Sequence, residues 1–242
     1  MPRKLKRDRE PKLYVIGEKL LPINHNHLVK IKPKTDNQKL SFEAYESGSN
    51  LVMAGAAGTG KTFLSIYFAL RDVLNPSTPY EKLVIVRSTV PTRNQGFLPG
   101  SVLEKQAIYE LPYKSIAKEL IDHPIIGDPY EKLKVQKSLE FISTSFVRGI
   151  TIDNAIVVVD EFQNMTFGEL DSIITRVGQN CKIIFCGDTR QSDLDRDKHE
   201  HIKFLEILDR MGVFEIIRFG VDDIVRSCMV RSYLITKEKL GY

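Results

Sequence analysis

Residues 51–62 read LVMAGAAGTGKT, and within them Gly55, Gly58, Gly60, Lys61 and Thr62 fit the spacing G-x-x-x-x-G-K-[ST]. Glycine packs nothing and is entropically costly in a strand or helix, so such a cluster needs a steric or conformational reason. This spacing supplies one. Without Cβ atoms in the way, the backbone N–H groups of Gly55, Ala56, Ala57, Gly58, Thr59 and Gly60 can turn inward around a phosphate. A helix that begins near Lys61 and carries Phe63 in its first turn adds its N-terminal dipole and free N–H groups. Lys61 is placed to reach β- and γ-phosphates, and the Thr62 hydroxyl to ligate Mg²⁺. The bland alternative is a glycine-rich turn with a solvated lysine. A chance match in a chain of 242 residues has odds of roughly one in a hundred. The flanks also fit, with an apolar strand before the glycines and a helical pattern after them.

A second group of residues could act on the same phosphates. AIVVVDE ends an apolar run with Asp160 and Glu161. Carboxylates there are poorly explained by packing, because burying one unpaired is expensive. Asp160 is expected to serve Mg²⁺, through water or Thr62, and Glu161 to polarise the water that attacks the γ-phosphate. Taken alone, an acidic pair capping the next helix is the better explanation; joined to the glycine loop it is not. FCGDTRQSDL carries Gln191, an uncharged donor and acceptor placed to touch a γ-phosphate or the attacking water. Gln38, upstream of the loop, can offer the same pair of functions to an adenine edge. The developing charge also calls for an arginine, in cis or in trans. Arg87, Arg148, Arg226 and Arg231 are candidates, and spacing does not choose among them.

These residues need a scaffold that brings strand ends together. Helical patterns cover 35–47, 62–74, 101–122 (broken at Pro112), 166–178, 201–212 and 222–240. Strands are expected at NLVMAG, KLVIVR, AIVVVD, CKIIFCG and FEIIRF, with LEFISTSFV a strand followed by turns. The strands are apolar throughout rather than alternating, which points to a mostly parallel sheet covered on both faces. The fold class that follows is α/β, a three-layer doubly wound domain. Ligands bind such sheets at the carboxyl ends of the strands, where every candidate above falls. Residues 36–242 then form one domain. Residues 1–35 form a basic extension with a possible short strand at KLYVIG.

Bulk composition narrows the setting. A hydrophobic content of 42% is enough for a core, and no run of eighteen or more apolar residues predicts a membrane span. The start MPRKLKRDREPK lacks the apolar stretch of a secretory signal. Cys181, Cys186 and Cys228 lack metal-like spacing, and a reducing, cytoplasmic setting is expected. The net charge of +4 is mild, but Arg3, Lys4, Lys6, Arg7 and Arg9 crowd the first ten positions, and Lys30, Lys32 and Lys34 follow. Such a stretch is either a solvated arm or a contact for phosphate backbones.

GAAGTGKT, VIVR, GFLPG, RGITIDNAIVVVDEFQN, GDTRQSDL and DIVRSCMV occur in the order found in PhoH-like proteins, and the chain resembles that family from about Gln38 to Arg231. It departs at Ala56, where proline is usual, at Phe162, where alanine is common, and at Arg190, where threonine is usual. The resemblance implies a RecA-like P-loop NTPase core related to the motor domain of superfamily 1 helicases. It also implies Mg-dependent ATP hydrolysis coupled to binding, unwinding or remodelling of single-stranded nucleic acid, RNA rather than DNA. In that reading Gln38 contacts adenine, and Gly58, Gly60, Lys61 and Thr62 bind the triphosphate. Asp160 holds Mg²⁺, Glu161 is the base, Gln191 senses the γ-phosphate, and Arg226 lies in the family's C-terminal arginine-bearing segment. Superfamily 1 helicases place ATP between two motor domains, so a homo-oligomer, as a ring of up to six copies, is expected to complete the site. Two other readings remain at this stage. One is a phosphotransferase acting on a nucleoside or other small molecule, with 123–150 as a lid. The other is a nucleotide-gated binding protein with little turnover.

Overall fold

In the computed structural model, which describes residues 22–89, 102–121, 127–188 and 195–240, six strands form one sheet in the order β3-β2-β4-β5-β1-β6. They are β1 (Asn50–Gly55), β2 (Lys82–Arg87), β3 (Leu139–Ser143), β4 (Ala155–Asp160), β5 (Lys182–Gly187) and β6 (Phe214–Phe219). Every pairing is parallel. The reason is visible in the residues: AIVVVD and KIIFCG are buried at all six positions, as a strand covered on both faces must be.

Two apolar layers sandwich the sheet. One is built from Leu51, Met53, Ile85, Val158 and Ile184 under α1 (Asp36–Glu46), α2 (Lys61–Val73) and α3 (Val102–Leu120). The other joins Val52, Val84, Val157 and Phe185 to α6 (Phe167–Ile174) and α7 (Asp195–Arg210). The short helices α4 (Pro129–Val135) and α5 (Thr144–Val147) flank β3, and α8 (Cys228–Lys239) closes the described chain. In the first layer Phe68 is fully buried, stacked on Tyr45 at 4.6 Å and met edge-on by Phe42 at 4.8 Å.

Several expectations change. The helix expected to break at Pro112 runs through it. Proline removes a bond to the carbonyl four residues back, at Ile108, and both Ile108 and Leu111 lie exposed, so water can take that carbonyl. LEFISTSFV divides into edge strand β3 and the single helical turn α5, and β3 pairs with β2 along its length. The described part of 123–150 is therefore mostly framework, not a lid. The last helix starts at Cys228 rather than 222. The Asp223 carboxylate takes hydrogen bonds from Gly220 N (2.9 Å) and Asn37 Nδ2 (2.7 Å), which holds Val221–Asp223 in a separate 3₁₀ turn. Arg226 thus precedes α8 rather than sharing a helix with Arg231. Residues 22–35, assigned from sequence to an extension, contribute Ile23 to the core, and Gln136 bonds the Ile23 backbone through both its amide atoms. KLYVIG, GFLPG and the first ten residues lie outside the described part. Among the described residues, no helix is long and apolar enough to cross a membrane.

Phe68→Ala should cost about 3–5 kcal/mol, the usual range for emptying a buried aromatic site. A urea unfolding midpoint lowered without a change in m-value is the expected readout.

Candidate nucleotide site

The carboxyl ends of the strands line up. Arg87 is level with Asp160, Asp160 with Cys186, and Ala54 with Gly187. The glycine loop leaves β1 directly above this row.

The loop is shaped by close approach. Gly55, at φ +127°, sits where any Cβ would overlap the carbonyl oxygen of Phe219. The next amide, Ala56 N–H, donates to that oxygen at 3.1 Å. Gly58 at φ +77° and Gly60 at φ +86° hold the left-handed backbone that turns the chain into α2. The loop then meets the C-terminal segment. Val225 N–H donates to Gly58 O at 3.0 Å, and the stem of Arg226 would stand 3.0 Å from a methyl group placed on Gly58.

Each residue expected to act there can now be placed. Lys61 heads α2 and is nearly buried; its Nζ donates to the carbonyls of Gly55 (2.8 Å) and Ala56 (2.7 Å). Burial holds its ammonium below the ordinary lysine range, against the pull of Cys186, Asp188, Glu161 and Asp160. Thr62 Oγ1 donates to Asp160 Oδ1 at 2.7 Å, which joins the loop to β4 across the intervening β5. The Thr59 hydroxyl turns back onto Ala56 O. Gln38 is buried, donating to Thr59 O at 3.0 Å and accepting from Lys34 N–H at 2.8 Å. It touches the phosphate loop itself, and both its amide atoms are engaged.

Asp160 is 3% exposed. Burial pushes its carboxyl above the ordinary range, helped by Glu161 and opposed by the hydroxyls of Thr62 and Tyr113 and by Arg87. Glu161 follows in left-handed backbone at φ +54°. Gln191 and Arg190 fall outside the described residues. Arg226 lies against the loop of its own chain. Arg148 is exposed just past α5, and Arg231 makes a long contact, 3.9 Å, with the exposed Asp222.

Two partners, Tyr113 and Gln163, had not been singled out from sequence, whereas Arg87 stood among the candidate arginines. Tyr113 OH donates to Asp160 Oδ2 at 2.8 Å. Arg87 packs its guanidinium 5.9 Å from the Tyr109 ring centre. Burial opposes its charge, but Tyr113, Asp160 and Glu161 outweigh that and hold it above the ordinary range. Gln163 bonds Glu161. Only Gln163 had a readable signal, two places after a strand-end acid; nothing about a tyrosine in a helix 47 residues upstream marks it as a partner of Asp160.

A triphosphate and Mg²⁺ fit these residues. Gly58 and Gly60 hold the left-handed backbone that a main-chain anion nest uses, and Thr62 and Asp160 offer hard oxygen donors 2.7 Å apart. Magnesium characteristically takes one or two carboxylates and completes its octahedron with water and phosphate oxygens.

A family model described as PhoH-like protein matches residues 30–236. The chain belongs to the PhoH-like protein family. A PhoH-like protein of Synechocystis sp. (strain ATCC 27184 / PCC 6803 / Kazusa) is 34% identical over 211 residues, 86% of this chain and 62% of that relative. Protein PhoH of Escherichia coli (strain K12) is 29% identical over 210 residues, covering 84% and 57%. A PhoH-like protein of Mycobacterium leprae (strain TN) is 29% identical over 202 residues, covering 83% and 56%. The chain thus spans little more than half the length of these curated relatives. Among solved structures, a Sulfolobus solfataricus SWI2/SNF2 ATPase core in complex with dsDNA is similar over 83% of this chain and 47% of its own, at 14% identity and a TM-score of 0.42. Family, sheet order and loop together make this PhoH-like chain a nucleotide-binding P-loop domain with a RecA-like core.

The Asp160 shift has a measurable consequence. The unfolded carboxyl ionises near 3.8 and the folded one above it. Between those values the folded state holds the extra proton, so stability falls as pH rises through that window, and the loss persists above it. Asp160→Asn removes this cost while still able to bond Thr62 and Tyr113. Its Tm at pH 7.5 should exceed wild type, by about 2–4 °C for each kcal/mol recovered. The gain should shrink toward pH 3.8. Mg-dependent ATP affinity should fall in the same variant, which calorimetry at matched pH reads directly.

Proposed function

We propose that this chain hydrolyses ATP with Mg²⁺ and couples the cycle to single-stranded nucleic acid, RNA rather than DNA. The observation that carries the hydrolytic part is the bond from Thr62 to Asp160 beside Glu161. It brings a phosphate cradle, a magnesium donor pair and a candidate base to one strand-end row. On nucleotide entry the Lys61 ammonium exchanges the carbonyls of Gly55 and Ala56 for β- and γ-phosphate oxygens. Thr62 and Asp160 would hold the metal, which when bound neutralises charge on those oxygens. Glu161 accepts the proton of the attacking water. Arg226, whose stem stands on the loop, would supply positive charge in cis, and Gln191 follows the end of β5 in sequence as the candidate γ-phosphate sensor. A transferase would need an acceptor pocket under a lid, and α4, β3 and α5 together occupy much of the segment that could have formed one.

The basic N-terminal sequence supports the nucleic-acid part, together with Lys30, Lys32 and Lys34, which alternate along an exposed approach to α1. The same proposal includes a cytoplasmic setting, in keeping with three free cysteines. It also includes a homo-oligomer, as a ring of up to six copies, which light scattering with and without ATP decides.

Phosphate release should rise when single-stranded RNA is added and rise less with single-stranded DNA. Equal rates with and without a strand would remove the coupling. Glu161→Gln should keep ATP affinity within about two-fold and lower turnover by about 10²–10⁴, the range for a lost general base. Removing the first ten residues should weaken strand affinity and flatten its dependence on salt.

A further inference from the structure

Gln163 lies two residues past the candidate base and outside the glycine-loop motif. It is 7% exposed. Its Oε1 accepts from the Asp188 backbone N–H at 3.0 Å, and its Nε2 donates to Glu161 Oε2 at 2.5 Å. The amide has no freedom to be reversed: a backbone N–H only donates and an ionised carboxylate only accepts, so each end of the side chain is matched to its partner.

The surroundings are built for this contact. At Gly187, the last residue of β5, a Cβ would overlap both Gln163 Oε1 and the Phe162 ring. Phe162 is fully buried and anchors the 3₁₀ turn Phe162–Asn164 by edge-on contacts with Phe185 and His201, each at 6.2 Å between ring centres. His201 Nε2 in turn bonds Met165 O at 2.9 Å. The Gln163 backbone is therefore fixed from below while its amide spans the tips of β4 and β5. Glu161 sits in left-handed backbone, where nothing in the strand ladder orients its side chain.

We propose that Gln163 is a positioning residue for hydrolysis. It holds one oxygen of Glu161, leaving Oε1 to face the attacking water, and ties that carboxylate to the end of β5, from which the segment bearing Gln191 departs. The proposal rests on the hydrolytic reading above and adds the element that orients its base. Because the amide is shared between two strand tips, a displacement at Asp188 moves the Glu161 carboxylate with it.

Two variants separate the two bonds. Gln163→Met loses both, whereas Gln163→Glu keeps an acceptor for Asp188 N–H but cannot donate to Glu161. Both should lower kcat about 10–100-fold, the scale of a misplaced catalytic group. ATP affinity, read with a fluorescent ATP analogue, should stay within about two-fold in each. Gln163→Glu retaining wild-type kcat would reduce Gln163 to a structural bridge and overturn the proposal. A fall in affinity matching the fall in kcat/KM would do the same. Urea unfolding of Gln163→Met, Glu161→Ala and the double variant gives a readout independent of turnover: non-additive midpoints are expected, and additive ones overturn the contact. If the wild-type chain releases no phosphate under any condition, the hydrolytic reading falls, and the unfolding cycle still decides whether Gln163 holds Glu161.

Discussion

An acid group buried between strand tips is the constraint on which this site depends. Asp160 could not be kept there unpaired, since a desolvated carboxylate without partners costs several kcal/mol. Its two oxygens receive hydroxyls from Thr62 on α2 and Tyr113 on α3, and Arg87 stands level with it at the end of β2. Satisfying one side chain therefore requires three elements to dock. Two of the partners are neutral and Arg87 is a single cation, while Glu161 adds a second carboxylate, so negative charge is left over. A cation is the species that relieves it, which makes the fold's least comfortable residue also its most useful one.

The strand order sets the space in which this happens. β5 lies between β1, which carries the loop, and β4, which carries the acids. With strands about 4.8 Å apart, the two tips are held about 10 Å from each other, a gap that phosphate oxygens, metal and water can share. Thr62 crosses it from the first turn of α2, so the gap is bridged by one hydroxyl rather than closed by packing. The tip of β5 ends in Gly187, and the room left by the missing side chain is filled by Gln163 and Phe162. A larger residue there would push the turn after Glu161 away from the sheet.

Much of this was legible in the chain. Apolar runs such as AIVVVD could only be buried parallel strands, and the glycine spacing could only be paid for by a conformational need. The strand-end acids declared themselves by being charged where packing asks for apolar groups. What the sequence hid was contact between distant segments. Tyr113 looks like an ordinary aromatic of an amphipathic helix until α3 docks on β4. Pro112 suggested a break because local propensity does not register that the carbonyl it frees belongs to Ile108, on the exposed side of α3. Arg226 looked helical because periodicity does not register that Val225 N–H is drawn out of the helix by Gly58 O.

That last bond changes how the charge around the phosphates is arranged. An arginine from a neighbouring copy was expected because one motor domain alone would leave the developing oxyanion short of positive charge. The segment after β6 instead runs back over the loop: Phe219 accepts from Ala56, Val225 donates to Gly58, and the Arg226 stem and Leu234 pack on Gly58. Any movement that opens the loop must carry this segment with it, because the two share main-chain hydrogen bonds rather than side-chain contacts that could slide. Lys61 and the stem of Arg226 then stand on one loop in one chain. The loop of one chain thus has two basic residues against it, and assembly, where it occurs, would add to them.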